Sequence, residues 1–407
     1  MDVLDTLAAA CPAGGARRAE PGDAVDGVVP RVVARPAGIP ELSSVLSAAA
    51  DAGLAVVARG NGTKLDWGLP PTTLDLVVDT TAMAGVVEHT SGDLVLRALA
   101  GTTLAEVQSL LASHRQWLPL DEVVPGSTLG GVVATALSGP GRHTYGGVRD
   151  LLIGVTAVRA DGVVAHAGGR VVKNVAGYDL AKLFTGSYGT LAVLGELVFR
   201  LRPLPVARRF VQHVVPPAEL SAALGALRRA PAAPTALELA RRGDGPYVLT
   251  VLLEGRPGPL EARAAELAGQ LGRPERADDV APPTWGALPG ACTLKVTAPL
   301  AALPGLLDVA GRAAVAAGVA ADLRAHPGVG TCLVGLPDDV VAVGEVLGAL
   351  RRFLGGTGWA TVLRGPREVR STLDVFGPTP GLALMARVKA QLDPDGRLAP
   401  GRFVVAA

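Results

Sequence analysis

The sequence has 407 residues, of which 49% are hydrophobic and 18% are charged, and its net charge is +1. A chain of this length and hydrophobicity builds more than one core and is not disordered, so we expect two or three domains. The small net charge gives no general reason to expect nucleic acid or an acidic surface as a partner.

The amino terminus and the cysteines argue against further classes of protein and of site. The amino terminus, MDVLDTLAAACPAGG, has an early acid and no basic region, so it does not resemble a signal peptide. No apolar run reaches membrane-spanning length. Cys11, Cys292 and Cys332 are isolated, which argues against a disulfide framework or an iron–sulfur or zinc site built by this chain. We therefore expect a soluble, cytoplasmic protein without a transmembrane segment.

The first predicted elements are a strand (30–35), a helix (39–52) and a second strand (54–58). This order predicts a βαβ unit with a parallel pair of strands. The turn that follows is glycine-rich and reads Arg59-Gly60-Asn61-Gly62-Thr63-Lys64. It matches neither the Rossmann fingerprint nor the Walker A loop. Its amides favour an anion-binding nest with charge from Lys64 or Arg59, but a surface turn is about equally favoured.

The next stretch alternates strands with short helices. Strands are predicted at 74–78, 94–100, 151–159, 163–166 and 190–202, the third and fourth forming a hairpin around Asp161-Gly162. Thr103 and Glu106 form a capping box for a helix that ends near Ser113. Asp179 is placed to cap the helix DLAKLF.

The segment from Pro125 to Ser138 contains another short helix, LGGVVATAL, with Ser127 or Thr128 at its start. We expect free amides at that end, beside Gly130 and Gly131, to suit a phosphate or a sugar edge. Glycines are dense throughout residues 125–205. This density favours connections that wrap a large ligand over a turn-rich β region without one.

From Val206 onward the pattern changes. Strands (210–215, 247–253, 293–296, 331–335) alternate with Ala/Leu-rich helices (217–229, 260–271, 305–317, 339–353). This pattern predicts an α+β domain with helices on an antiparallel sheet. A last helix is expected at residues 382–392.

Taken together, residues 30–205 and 382–403 resemble the FAD-binding fold of the vanillyl-alcohol oxidase and p-cresol methylhydroxylase (PCMH) family. The segment VVKNVAGYDLAKLFTGSYGTLAVLGELVFRLRPLP is similar to glycolate oxidase flavin subunits, and the length and tail resemble their smaller, FAD-binding subunit. The resemblance implies an α+β protein with a lead (1–29), a PCMH-type FAD-binding domain (30–205), an α+β cap domain (206–381) and a returning tail (382–407).

The resemblance also implies an FAD site. The turn from Arg59 to Lys64 would hold the pyrophosphate, the wall beside the flavin would include residues 125–131, and the adenine side would include Val193 and Glu196. The implied cofactor-binding residues are Arg59, Gly60, Asn61, Gly62, Thr63, Lys64, Pro125, Gly126, Ser127, Thr128, Leu129, Gly130, Gly131, Ala134, Thr135, Ser138, Gly139, Gly147, Asp150, Lys173, Asn174, Gly177, Tyr178, Asp179, Gly186, Ser187, Gly189, Thr190, Val193, Glu196 and Arg402.

Three positions depart from the family pattern. Thr63 lies where histidine-linked members attach FAD, so we expect non-covalent FAD. Ala399 replaces the asparagine of the usual NPGR tail. The segment AHPGVGTCL (325–333) resembles a decayed AHAGDGNLH metal and substrate segment of which only His326 remains. With one possible ligand, a metal site is not expected.

Oxidation of a 2-hydroxyacid needs a flavin, a base and cations for the carboxylate. No base is identified, because the six histidines are scattered. The favoured hypothesis is an FAD-carrying subunit of a glycolate oxidase complex, with a catalytic flavin subunit and an iron–sulfur subunit as partners and a small 2-hydroxyacid as the substrate of the complex. Association with the inner face of the membrane would occur only through these partners. Its flavin would relay electrons, or the chain would support assembly. The alternatives are a self-sufficient FAD-dependent dehydrogenase of a small 2-hydroxyacid and a scaffold that has lost FAD.

Overall fold

The structure is a computed structural model that describes residues 2–169, 178–272 and 274–405. The chain forms two compact units. The first unit consists of Met1–Leu137, Gly147–Pro203 and Pro378–Ala407, and the second of Ser138–Gly146 and Leu204–Gly377. Within the described ranges, no helix combines the length and apolar character needed to cross a membrane.

The first unit begins with a small sheet whose strands lie in the order β1-β2-β4-β3. Strand β1 pairs antiparallel with β2, whereas β4 pairs in parallel with both β2 and β3. The parallel direction was predicted, but the direct pairing of β2 with β3 is wrong, because β4 lies between them. The strands are β1 (Ala16–Arg18), β2 (Val32–Ala34), β3 (Val56–Arg59) and β4 (Leu76–Asp79).

Helices α1 (Val3–Ala10) and α2 (Ile39–Asp51) pack beside this sheet. Helix α2 forms where predicted, because Pro40 suits its first turn and apolar residues recur at helical spacing. Leu42, Val45 and Leu46 are fully buried in the same core as residues of β2 and β4.

The second sheet of the first unit is antiparallel, in the order β5-β6-β10-β8-β9. Its strands are β5 (Val86–Thr90), β6 (Val95–Leu99), β8 (Leu152–Val158), β9 (Val164–Gly168) and β10 (Val193–Arg200), and β7 (Gln116–Trp117) pairs separately with β11 (Arg202–Pro203). The unit also contains helices α3 (Leu104–Ser113), α4 (Leu129–Thr135), α6 (Val148–Leu151), α7 (Leu180–Phe184) and α13 (Leu382–Leu392). The predicted capping box of α3 and the Asp179 cap of α7 are both present.

The carboxyl-terminal tail joins the first sheet. Leu398 forms a parallel bridge with Val56, and the Ala399 amide donates to the Val56 carbonyl at 2.7 Å. The tail thereby brings Ala399 and Arg402 beside the turn that follows β3.

The second unit contains an antiparallel sheet in the order β15-β12-β14-β13-β17-β18-β16-β19. The strands are β12 (Ala207–Val215), β13 (Ala236–Arg242), β14 (Tyr247–Gly255), β15 (Arg276–Asp278), β16 (Cys292–Thr297), β17 (Asp322–His326), β18 (Thr331–Leu336) and β19 (Trp359–Arg364). The helices are α5 (Arg142–Tyr145), α8 (Leu220–Arg229), α9 (Pro257–Leu271), α10 (Leu303–Ala316), α11 (Val340–Leu354) and α12 (Arg367–Thr372). Strands β13, β15, β17 and β19 were not predicted.

Candidate functional site

A cleft in the first unit brings together the turn after β3, helix α4, the chain before and at the start of β10, and the tail. Its volume is about 810 Å³, counting the part open to solvent. Its lining residues are Val57, Ala58, Arg59, Gly60, Asn61, Gly62, Thr63, Lys64, Leu65, Thr80, Ala100, Thr128, Gly130, Gly131, Ala134, Thr135, Tyr188, Gly189, Ala192, Val193, Leu194, Ala399 and Arg402.

The turn from Arg59 to Lys64 presents unused amides. Within the described part of the chain, none of the backbone amides of residues 60–64 donates a hydrogen bond to a protein acceptor. Gly62 has a φ of 73°, the left-handed conformation that glycine adopts without strain. Asn61 Nδ2 donates to the Gly126 carbonyl at 2.9 Å, which fixes the turn against the loop before α4. A series of unpaired amides in a glycine-rich turn is an anion-binding arrangement.

Lys64 adds positive charge to this turn. It is only 8% exposed, and its Nζ donates to the hydroxyls of Ser127 at 2.6 Å and Thr63 at 2.9 Å. Burial lowers the pKa of Lys64 to about 8, against the opposing effect of Asp66 and Glu122. A buried ammonium group held by hydroxyls rather than by a carboxylate is suited to pair with an anionic ligand.

Arg59 has a different role. Its guanidinium lies 3.2 Å from Asp23 and 3.0 Å from Asp79, so its charge is matched within the protein. Of the two cations considered for the turn, Lys64 is therefore the one without a carboxylate partner in the described chain.

The amides at the start of α4 are not free, and our prediction there is wrong. Leu129 and Gly130 each donate at 2.8 Å to the carbonyls of Thr102 and Ala100, and Gly131 donates to Thr128 Oγ1 at 3.2 Å. The loop after β6 runs alongside the helix start and accepts from the first two of these amides. The start of α4 contributes a close-packed wall, because a Cβ on Gly130 would lie 3.1 Å from Ala100.

Tyr188 and Gly189 also line the cleft. The amides of Gly186 and Tyr188 donate to the carbonyls of Val133 and Ala134, which attaches this turn to α4. Tyr188 has a φ of 56°, and its ring stacks on Phe403 with centroids 5.3 Å apart. Burial raises the pKa of Tyr188 to about 12, so its hydroxyl stays protonated at neutral pH.

The tail is fixed by buried charges. Arg402 is 4% exposed, lies 3.2 Å from Asp26, and donates to the carbonyls of Leu65 and Trp67 at 2.8 Å each. Lys389 Nζ donates to Asp393, to the Thr190 carbonyl at 2.8 Å and to the Leu398 carbonyl at 3.0 Å. Lys389 thus connects α13, the tail and the turn before β10.

The structure brings part of the predicted site together. The predicted residues that line the cleft are Arg59, Gly60, Asn61, Gly62, Thr63, Lys64, Thr128, Gly130, Gly131, Ala134, Thr135, Gly189, Val193 and Arg402. Other predicted residues of the first unit do not line it: Pro125, Gly126, Ser127, Leu129, Gly147, Asp150, Tyr178, Asp179, Gly186, Ser187, Thr190 and Glu196. Ser138 and Gly139 belong to the second unit. Lys173, Asn174 and Gly177 lie outside the described residues.

Several of these residues have structural partners. Ser127 holds Lys64, Asp150 accepts from the Gly147 amide at 2.8 Å, and Glu196 lies 3.4 Å from Arg97. The resemblance placed the range from Gly186 to Thr190, which includes Tyr188, in the site, but Ala399, Leu65, Thr80 and Ala100 were not predicted as lining residues. The motif SYGT around Tyr188 and the tail around Ala399 were both noted, and each position has a positive φ that a tyrosine or an alanine rarely adopts.

The comparisons with known proteins agree with this geometry. Residues 30–168 match the family model described as FAD binding domain. The chain is 29% identical over 360 residues to glycolate oxidase subunit GlcE of Escherichia coli (strain K12), covering 86% of this chain and 92% of that protein. It is 34% identical over 172 residues to D-lactate dehydrogenase of Archaeoglobus fulgidus, covering 42% of this chain and 39% of that protein.

Among solved structures, p-cresol methylhydroxylase with substrate bound superimposes with a TM-score of 0.73 at 14% identity, covering 98% of this chain and 96% of that one. The predicted α+β class and PCMH-type fold are confirmed. Residues 30–168 are thus similar to an FAD-binding domain, and FAD is the cofactor of the chain.

Proposed function

We propose that this chain is the FAD-binding subunit of a glycolate oxidase complex. The observation that carries the proposal is the likeness to glycolate oxidase subunit GlcE, which extends over 92% of that protein and so beyond the FAD-binding domain. Its proposed partners are a catalytic flavin subunit and an iron–sulfur subunit, and its proposed location is the cytoplasm. The FAD-binding domain is proposed to begin at residue 30, the cap domain at residue 206 and the returning tail at residue 382.

The pyrophosphate of FAD is proposed to bind the turn from Gly60 to Lys64. The unused amides there would donate to phosphate oxygens, and Lys64 would neutralise part of their charge. The turn packs closely against the wall of the cleft, because a Cβ on Gly60 would lie 2.4 Å from Thr128 Oγ1. The other predicted site residues, including Lys173, Asn174 and Gly177, remain part of this proposal.

Non-covalent binding is supported by the side chains around the cleft. The described lining residues include no histidine and no cysteine. Thr63 Oγ1 instead accepts a hydrogen bond from Lys64. Cys11, Cys292 and Cys332 are buried away from this lining. We infer that the protein holds FAD by contacts alone.

Bound FAD would supply the capacity to accept electrons and pass them on. Among the described lining residues there is no carboxylate or histidine to take a hydroxyl proton. Tyr188 is held protonated and Arg59 is paired with acids, so neither acts as a base. These observations favour electron relay or support of assembly over oxidation of a 2-hydroxyacid in this cleft.

The alternative is a self-sufficient dehydrogenase of a small 2-hydroxyacid. The likeness to D-lactate dehydrogenase favours it, but that likeness spans only 39% of the relative. A scaffold that has lost FAD is the least supported hypothesis. The cleft presents unused amides and a lysine without a carboxylate partner, and these groups are suited to an anionic ligand.

The test is anaerobic reduction of the purified chain after reconstitution with FAD. Visible flavin absorbance is followed after addition of glycolate or D-lactate, first alone and then with the partner subunits. We expect flavin that is released by acid precipitation and stays oxidised until the partners are added. Rapid bleaching of the isolated chain would support the self-sufficient dehydrogenase instead.

A matched pair of glycine variants checks the cleft itself. Gly60→Ala is expected to weaken FAD retention because of its contact with Thr128, whereas Gly92→Ala has open space around it and is expected to retain FAD. If the unaltered chain bound no FAD, the result would support the scaffold hypothesis instead.

A further inference from the structure

Lys64 is the one lysine among the described residues that line the proposed FAD cleft. Lys182 is exposed and lies 2.8 Å from Asp179, and Lys389 is buried beside Asp393; neither lines the cleft. The described lining residues also include no aspartate or glutamate, so the walls present no carboxylate that would repel an anion. A small anionic molecule that enters the cleft of the FAD-free chain therefore meets Lys64.

The hydrogen bonds of Lys64 leave one position on its nitrogen available. Nζ donates to Ser127 Oγ at 2.6 Å and to Thr63 Oγ1 at 2.9 Å. Ser127 Oγ itself donates to the Val124 carbonyl at 2.6 Å, so it faces Nζ as an acceptor. A neutral amine has two N–H bonds and one lone pair, and the two hydroxyls accept from both N–H bonds. The lone pair is then left for an electrophilic carbon.

Burial supplies the neutral amine. It lowers the pKa of Lys64 to about 8, so at neutral pH a larger fraction of this side chain is unprotonated than of an ordinary lysine. Desolvated lysines with a lowered pKa are the ones that form imines with carbonyl compounds. Lys64 thus combines three requirements of such a residue: a neutral fraction, an available lone pair and a position in an open cleft.

The turn that contains Lys64 adds a place for a carboxylate. None of the backbone amides of residues 60–64 donates to a protein acceptor in the described part of the chain, and Gly62 has a φ of 73°. Such a series of amides binds anions. A molecule that carries an aldehyde next to a carboxylate is therefore suited to this turn, because the amides bind its carboxylate and Nζ meets its carbonyl carbon.

We propose that Lys64 of the FAD-free chain forms a reversible imine with glyoxylate, a small acid with an aldehyde group. The neutral amine attacks the aldehyde carbon, and a C=N bond replaces the C=O bond. The nitrogen gives up its two protons, and the aldehyde oxygen leaves with them as water, so no oxidant or reductant takes part. The choice of glyoxylate rests on the proposed function, because glycolate becomes glyoxylate on losing a hydride and a proton. The adduct occupies the turn, and so it competes with FAD.

The test traps the imine on the full chain after FAD has been removed. Glyoxylate is added with sodium cyanoborohydride, which reduces an imine to a stable carboxymethyl-lysine, and peptide mass mapping compares Lys64 with Lys182. We expect Lys64 to be carboxymethylated about tenfold or more faster than Lys182, and saturating FAD to prevent the reaction. If exposure alone decided the rate, Lys182 would react first, and that result would overturn the proposal.

A matched reagent and two variants connect the competition to the imine. Glycolate has the same carboxylate but no aldehyde, so it should weaken FAD binding less than glyoxylate does. Lys64→Arg keeps a positive charge but forms no imine, so glyoxylate should lose its effect on FAD binding in this variant. Lys182→Arg should leave the effect of glyoxylate in place. An equal effect of glyoxylate on Lys64→Arg and on the unaltered chain would overturn the proposal.

The trapping experiment on the unaltered chain depends on no variant and separates this inference from the proposed function. Normal FAD binding without trapping at Lys64 would overturn the imine and leave the proposed function intact. Trapping at Lys64 that FAD does not prevent would support the imine and contradict the placement of the FAD pyrophosphate at this turn.

Discussion

At the scale of single residues, anion binding in the proposed FAD cleft depends on which charges the protein leaves unmatched. Arg59 and Arg402 both line the cleft, yet Asp23, Asp79 and Asp26 match their charges. Lys64 is bound only by hydroxyls in the described chain. The free protein therefore carries an unfavourable buried charge that an anionic ligand would stabilise, which makes Lys64 the residue to test.

We predict that Lys64→Met stabilises the FAD-free chain and weakens FAD binding. The pKa of Lys64 falls from 10.5 to about 8, which corresponds to about 3 kcal/mol. Burial disfavours the charged form of Lys64 in the folded protein, so the unfolded chain binds the Lys64 proton more tightly. The free energy of unfolding should therefore rise between about pH 8 and 10.5, and this rise should be absent from the variant.

FAD affinity should show the opposite trend. Above about pH 8 the free protein loses the Lys64 proton, so FAD binding to the unaltered chain should weaken as pH rises. Lys64→Met should bind FAD about tenfold or more weakly at neutral pH, with less pH dependence. Urea titration and fluorescence titration with FAD measure the two effects, and Arg312→Met serves as a control for loss of a surface charge. Unchanged FAD affinity in Lys64→Met would contradict the pyrophosphate assignment.

At the scale of elements, helix α13 is held mainly by its carboxyl-terminal half. Most of its first two turns are exposed, whereas Lys389 is buried and donates to Asp393 and to two backbone carbonyls. Asp393 in turn accepts from the amides of Arg397 and Leu398 at 3.0 and 2.7 Å. One buried ion pair thus positions the tail that reaches the cleft.

We predict that Lys389→Met destabilises the protein by about 3–5 kcal/mol, because it leaves the Asp393 carboxylate buried without a cation. The double variant Lys389→Met/Asp393→Asn should recover part of this loss, since the remaining amide carries no charge. Urea unfolding of the three proteins measures both values. A double variant no more stable than Lys389→Met would show that the lost packing of Lys389, rather than the unpaired charge, accounts for the effect.

The sequence predicted elements best where local chemistry decides them. The Thr103–Glu106 capping box and the Asp179 cap formed as expected, because each uses hydrogen bonds between near neighbours. Strand β13, with the sequence ALELARR, was missed because Ala, Leu, Glu and Arg favour helix, and pairing with β14 and β17 overrides that preference.

Prediction of the candidate site also succeeded where local sequence decides the structure and failed where distant segments decide it. The turn from Arg59 to Lys64 could be recognised from its glycines, and its amides are unused. The sequence could not predict that the first amides of α4 are hydrogen-bonded within the protein. The carbonyls that accept from Leu129 and Gly130 belong to a loop much earlier in the chain. The insertion of β4 between β2 and β3 is likewise a long-range pairing that no local pattern specifies.

At the scale of the whole molecule, segments that are neighbours in the sequence do not always belong to the same compact unit. The first unit combines three separate stretches of chain, and the second includes Ser138–Gly146, which lies between two of them. The proposed FAD cleft draws on all three of these stretches. FAD should therefore protect a set of segments that are not contiguous in sequence.

We predict that hydrogen–deuterium exchange will map the proposed FAD site. FAD should slow exchange in residues 57–65, 188–194 and 397–403 together, because all three line the cleft and ligand binding stabilises the segments it contacts. Lys64→Met should reduce this pattern at a fixed FAD concentration. Protection of residues 57–65 by FAD without any change in residues 397–403 would contradict the placement of the tail in the FAD site, since Arg402 reaches that turn through Leu65.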